Sequence, residues 1–166
     1  NFGKGAAAGA ATGAAMFNVH AAGGRAMLEA AIEGANQGSA GSRPLVIAVT
    51  VLTSFSAEGY SSVVGRPCVP AEEVPRLGEL AVGAGVDGLV ASPMEVRTLR
   101  ERLGDDPVLV IPGIRPAGSA TDDQQRVATP ASALKDGADY LVVGRPIAKA
   151  DDPREALLRV LDEMDV

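Results

Sequence analysis

Two short strings hold the most chemical promise in this sequence of 166 residues: Pro112-Gly113-Ile114-Arg115 and Gly144-Arg145-Pro146. In each, an arginine follows a glycine at the end of an apolar run. Glycine lets backbone amides approach a ligand closely, and a guanidinium offers a planar fork of donors, so the pair suits the oxygens of a phosphate. Either arginine could instead serve a surface ion pair, for instance Arg145 with Asp151 or Asp152; two at equivalent places favour the phosphorylated ligand. Thr53-Ser54, behind another apolar run, reads as ligand hydrogen-bond donors or as a helix N-cap. The stretch 116–126, with Gly118, Ser119, Asp122, Asp123, Gln124 and Gln125, is too long for a minimal connection and too polar to pack. It fits a lid over a ligand or a solvated loop. His20, the single histidine, stands near Asn18 and reads as a hydrogen-bonded structural residue or a proton shuttle. No Ser and Asp lie at a spacing that would make it part of a triad. Asp105-Asp106 and Asp151-Asp152 read as solvated loop and cap positions.

These residues need a scaffold that brings strand ends together. Five apolar, partly β-branched runs predict strands: Met16–Val19, Leu45–Leu52, Val86–Ala91, Pro107–Ile111 and Tyr140–Val143. Most are apolar at successive residues, the pattern of parallel strands covered on both faces. Between them lie helical patterns. Arg25–Gln37 aligns Met27, Leu28, Ala31, Ile32 and Ala35; Met94–Leu103 aligns Val96, Leu99 and Leu103. Ala71–Gly83 turns Val74, Leu77, Leu80 and Ala81 inward, provided that Pro75 sits in the first turn. Thr129-Pro130 opens a short helix, and Asp152-Pro153 opens the last, with Leu157, Leu158, Leu161 and Met164 at helical spacing. An Ala/Gly-rich helix from about Gly3 to Thr12 precedes the first strand. The β-α alternation without a linker predicts one α/β domain over 1–166, either an open doubly wound sheet or part of a (β/α)8 barrel, since five strands cannot close a barrel alone. In both, ligands meet the carboxyl ends of the strands, where Asn18, His20, Thr53, Ser92, Arg115 and Arg145 fall.

Composition narrows the partners. Hydrophobic residues make up 46% and charged residues 22%, which supports a folded core, and aromatics at 3% make that core aliphatic. A net charge of −6 argues against a nucleic-acid backbone as partner, and the few aromatics leave no stacking platform for bases. Cys68 is the only cysteine, so no internal disulfide forms, no zinc-ligand cluster exists and a reducing compartment fits. The longest apolar run is far short of the roughly 20 residues that span a bilayer, so no membrane segment is expected. The sequence reads as a mature, truncated chain without a signal peptide.

Six strings then become specific in combination: Phe17-Asn18-Val19-His20-Ala21-Ala22-Gly23-Gly24, Ala48-Val49-Thr50-Val51-Leu52-Thr53-Ser54 and Asp87-Gly88-Leu89-Val90-Ala91-Ser92-Pro93, followed by Pro112-Gly113-Ile114-Arg115-Pro116, Asp123-Gln124-Gln125-Arg126-Val127-Ala128-Thr129-Pro130 and Val143-Gly144-Arg145-Pro146-Ile147. In this order, and over the whole chain from Met16 on, they resemble the bacterial orotidine 5′-phosphate decarboxylases. The resemblance implies a (β/α)8 TIM barrel, present here as a partial barrel of about five parallel strands. It implies a cytoplasmic homodimer with active sites near the interface, and loss of CO2 from orotidine 5′-monophosphate to give UMP without metal or cofactor. It assigns Thr53 to the pyrimidine, Arg115, Gly144 and Arg145 to the phosphate, and Gln124 to a lid contact between phosphate and base. Counted backward, Met16–Val19 matches the fourth strand of that barrel. The family's Asp-x-Lys-x-x-Asp element, whose Lys protonates C6, precedes that strand and is not in this sequence, so no catalytic residue is assigned here. Two rival expectations remain: a related decarboxylase or aldolase of sugar phosphates, and a catalytically silent phosphate- or nucleotide-binding barrel fragment.

Overall fold

Continuous apolarity in the strands and stripes in the helices produce one layer of sheet under one layer of helices. The computed structural model describes residues 2–117 and 127–164. The strands are β1 (Met16–His20), β2 (Leu45–Val49), β3 (Gly88–Val90), β4 (Val108–Ile111) and β5 (Tyr140–Leu141). The helices are α1 (Phe2–Ala10), α2 (Arg25–Gly38), α3 (Ala57–Val64), α4 (Pro70–Gly83), α5 (Val96–Leu103), α6 (Pro130–Lys135), α7 (Arg145–Ala148) and α8 (Pro153–Asp162). All five strands are parallel, and each lies beside its neighbour in sequence, in the order β1-β2-β3-β4-β5. Right-handed crossovers in a monotonic order place the helices on one face, whereas a doubly wound sheet needs the order to reverse. The sheet is therefore a barrel wall, and the doubly wound alternative is excluded.

The two faces of the wall differ in what covers them. Val46, Ala48, Leu89, Leu109 and Ile111 point into the helical layer and are each at most 1% exposed. On the other face Ile47, Val49, Val90, Val110 and Val142, with Asn18, line a concave cavity of about 310 Å³. The core is aliphatic as composition requires, except for Tyr60, which meets Phe55 at a ring-centroid distance of 5.9 Å.

Small residues set the spacing of the first two helices. A Cβ on Gly34 would come within 2.1 Å of the Gly3 carbonyl oxygen, and one on Gly38 within 2.1 Å of the Ala7 oxygen. Backbone meets backbone there, so glycine at 34 and 38 of α2 is a packing requirement for the close approach of α1.

At the amino ends of the strands the same device occurs twice. Gly85-Val86-Asp87 and Gly137-Ala138-Asp139 each lead into a strand. Asp87 accepts the Val46 N–H at 2.7 Å and the Arg43 guanidinium at 2.7 and 2.6 Å; Asp139 accepts the Leu109 N–H at 2.7 Å and Arg100 at 2.6 Å. Each carboxylate thus ties its own strand to the preceding one. Partial burial opposes the ionisation of Asp87, but the Arg43 bond and the Val46 N–H outweigh it and hold the carboxyl below its ordinary range.

Three departures from the sequence expectations have physical reasons. The helix expected at Ala71–Gly83 starts at Pro70, which places Pro75 in the second turn, not the first. The carbonyl that loses its partner is that of exposed Ala71, and the ring itself is fully buried. Helix α3 was not anticipated, because its sequence, Ala-Glu-Gly-Tyr-Ser-Ser-Val-Val, mixes glycine with β-branched residues. Helix α8 buries Ala156 and Val160, while Leu157, Leu158 and Leu161 stay 43–45% exposed.

Candidate functional site

Parallel strands place all five carboxyl ends on one rim, so the loops that follow them form a single surface. β1 delivers His20 there as its last residue, exposed and in register with Val49 of β2. β2 runs into Thr50, whose hydroxyl and N–H both reach the Val90 carbonyl at the end of β3, at 2.8 and 3.1 Å. That double bond steadies the start of the loop holding Thr53. Thr53 is buried and Ser54 exposed, and neither caps a helix: the cap of α3 is Ser56, which accepts the Gly59 N–H at 3.1 Å. The N-cap alternative for the Thr53-Ser54 pair is therefore excluded, and Thr53 remains available to a ligand.

The loop after β2 is anchored from below. Ser61 accepts the Cys68 N–H at 2.9 Å and donates to the Cys68 carbonyl at 3.1 Å, closing the turn after α3. Glu73, 6% exposed, receives Arg66 from that turn at 3.2 Å and Arg76 from its own helix at 2.6 Å. The Arg76 bond foremost, aided by Arg66 and against the cost of burial, lowers the Glu73 carboxyl to about 2. Burial pushes the neighbouring Cys68 thiol and Tyr60 phenol up, so both stay neutral. This cluster was not singled out in the sequence. Its only trace there is an i,i+3 Glu73–Arg76 pair on a helix, which resembles ordinary surface charge.

After β3, Ser92 is fully buried and caps the turn Pro93–Glu95 by accepting the Met94 N–H at 3.1 Å. Glu95, 4% exposed, is a second buried carboxyl that sequence reading missed. Ser92-Pro93-Met94-Glu95 has the Ser-x-x-Glu form of a capping box, which would place the glutamate at the surface.

The rim's strongest feature follows β4. Arg115 is 7% exposed, and its backbone is fixed by the bridge of Ile114 to Ala128, with Arg115 N–H to Ala128 oxygen at 2.9 Å. Its side chain donates once, from Nη1 to the Ile114 carbonyl at 2.9 Å. Nε and Nη2 are buried and have no acceptor among the described residues. A buried guanidinium with open donors is costly unless an anion completes it, and a phosphate matches its fork geometry.

After β5 comes Gly144, the N-cap of α7, with nothing within 4 Å of where a Cβ would be. Its carbonyl accepts the Ile147 and Ala148 N–H groups at 3.0 Å each, which sets Arg145 as the first residue of the helical turn. Asp152, offered above as an ion-pair partner for Arg145, caps α8 by accepting the Glu155 N–H at 3.0 Å. Of the anticipated residues, Thr53, Arg115, Gly144 and Arg145 thus share one rim. Gln124, like 118–126 as a whole, lies outside the described residues.

The chain is similar to known proteins over most of its length. The sequence profile described as "Orotidine 5'-phosphate decarboxylase / HUMPS family" matches residues 3–160. The orotidine 5′-phosphate decarboxylase of Heliobacterium modesticaldum is 50% identical over 98% of this chain, that of Gluconobacter oxydans 51% over 90%, and that of Moorella thermoacetica 49% over 93%. The chain spans 68, 64 and 62% of the lengths of these relatives. The crystal structure of the orotidine 5′-phosphate decarboxylase from Lactobacillus acidophilus superposes with a TM-score of 0.85 at 37% identity, covering 99% of this chain and 70% of that one. The Pyrococcus horikoshii OT3 enzyme, with a TM-score of 0.70 at 24% identity over 100% of this chain and 70% of its own, shares the fold.

Proposed function

The chain belongs to the orotidine 5′-phosphate decarboxylase / HUMPS family, and from that membership we propose that it supplies the substrate grip of an orotidine 5′-monophosphate decarboxylase of pyrimidine biosynthesis. The observation that carries this reading is Arg115, a buried guanidinium with Nε and Nη2 open to an acceptor on the rim. Arg115, Arg145 and the Gly144 backbone hold the 5′-phosphate, Thr53 meets the pyrimidine, and Gln124 joins phosphate to base.

The reaction breaks the bond from C6 to its carboxylate, releases CO2 and delivers a proton to C6. A distant phosphate contributes by fixing the pyrimidine in place, so that binding energy gained at Arg115 and Arg145 supports distortion at C6. The proton itself needs a positioned acid. No Asp-x-Lys-x-x-Asp string occurs in these 166 residues, and His20 is their only histidine. The second reading is a nucleotide-binding barrel wall without turnover of its own. A cytoplasmic homodimer belongs to the main proposal; no helix among the described residues is long and apolar enough to cross a membrane.

Loss of orotate absorbance, followed with protein purified from a host lacking its own decarboxylase, separates the readings. The proposal expects turnover when the chain is joined to β-α units that carry the Asp-x-Lys-x-x-Asp element and none from the 166 residues alone. In the joined protein, Thr53→Ala and Gln124→Ala weaken substrate use without abolishing the chemical step. A joined, folded protein that binds UMP yet never turns over supports the silent reading. Turnover by the 166 residues alone would place the proton donor within them.

A further inference from the structure

One side chain of the last helix reaches the phosphate rim. Ala156 and Val160 are the buried residues of α8, and Glu163, three positions beyond Val160, falls on the same helical face. Glu163 Oε1 accepts the Ala117 N–H at 3.0 Å, across 46 positions of sequence. Ala117 stands two residues after Arg115. The segment is therefore held on one side by the Ala128 bridge and on the other by Glu163.

The residue between them makes the contact consequential. Pro116 has a ring-locked φ and restricts the residue before it to extended backbone, so two of the torsions linking Ala117 to Arg115 are stiff. A shift at Ala117 is passed to Arg115 instead of being absorbed on the way. We propose that Glu163 is a positioning residue for the phosphate grip, holding the backbone behind Arg115 where its open donors meet a phosphate. This rests on the assignment of Arg115 to the phosphate. Glu163 touches no ligand; it acts through Ala117 and Arg115.

UMP and uridine, which differ only by the phosphate, test the idea when titrated into the wild-type chain and into Glu163→Ala, Glu163→Gln and Arg115→Ala variants, with thermal unfolding recorded in parallel. Glu163→Ala is expected to weaken UMP binding about three- to tenfold, the scale of one ordinary hydrogen bond, since the loss reaches the phosphate only through the backbone, and to leave uridine unchanged. Glu163→Gln keeps an acceptor oxygen and should restore most of the loss. If Arg115→Ala weakens UMP but Glu163→Ala does not, the grip stands and the positioning role falls. If Glu163→Ala weakens UMP and uridine alike and lowers the melting temperature, the contact is only structural and the proposal is overturned. If wild type and Arg115→Ala bind UMP equally, the phosphate assignment fails and takes this role with it.

Discussion

Glu73 and Arg66 form an ion pair across the turn that follows α3, with the carboxylate side chain 7% exposed and the guanidinium 55% exposed. The pair ties the loop that begins at Thr53 to the body of α4. With the stronger Arg76 bond to the same carboxylate, it also makes stability depend on pH. The Glu73 carboxyl is lowered from 4.5 to about 2 in the folded chain, so its contribution is fully present above pH 4.5 and is lost as pH falls toward 2. Glu73→Gln should cost about 2–3 kcal/mol in denaturant unfolding at pH 7, a figure that allows for solvent screening of the exposed arginines. The difference from wild type should shrink steadily below pH 4.5. A difference independent of pH would show that Glu73 acts through packing alone.

Arg100 joins three elements at the opposite end of the sheet. It donates to the Gly137 carbonyl at 2.9 and 2.8 Å, to the Pro107 carbonyl at 2.8 Å and to Asp139 at 2.6 Å. Truncation to alanine leaves those acceptors without their donor and is expected to cost about 2–4 kcal/mol. Amide exchange at Leu109, whose N–H bonds Asp139 at 2.7 Å, should quicken, while exchange at Val46, served by the separate Asp87 device, should not. Equal protection at Leu109 in both proteins would mean that Asp139 holds its place without Arg100.

Gly34→Ala sets two effects of opposite sign against each other. Alanine favours a helix by about 1 kcal/mol over glycine. Here its Cβ would lie 2.1 Å from the Gly3 oxygen, and backbone cannot yield as a side chain tip can. Steric cost of about 1–3 kcal/mol should win, lowering the denaturation midpoint and exposing α1 to proteolysis. A stabilised variant would show that α1 is free to move away from α2.

How legible all this was in the sequence depended on how local the signal is. Strand positions were readable because Leu45–Val49 and Val108–Ile111 are apolar without a break, and the α8 start because Asp152-Pro153 is a local cap. The strand order, and with it the choice of barrel wall over doubly wound sheet, is a pairing between distant segments that no local pattern records. The same distinction runs through the site. Arg115 and Arg145 were visible from their glycines, but the burial of Arg115 depends on the bridge to Ala128, and that of Glu73 and Glu95 on the elements packed over them. Thr53 and Ser54 were ambiguous until Ser56 proved to be the cap. Glu163 looked like any polar residue near a chain end, and only its reach to Ala117 distinguishes it.

On the proposed reading a phosphate completes Arg115. Calorimetric titration of UMP and uridine into wild type, Arg115→Ala and Arg145→Ala, each checked for native circular dichroism, measures it most directly. Wild type should prefer UMP to uridine. Each arginine variant should lose about 1.5–3 kcal/mol of UMP affinity, the scale of a charge-assisted hydrogen bond, while its uridine affinity is unchanged. UMP affinity equal in all three folded proteins would contradict it.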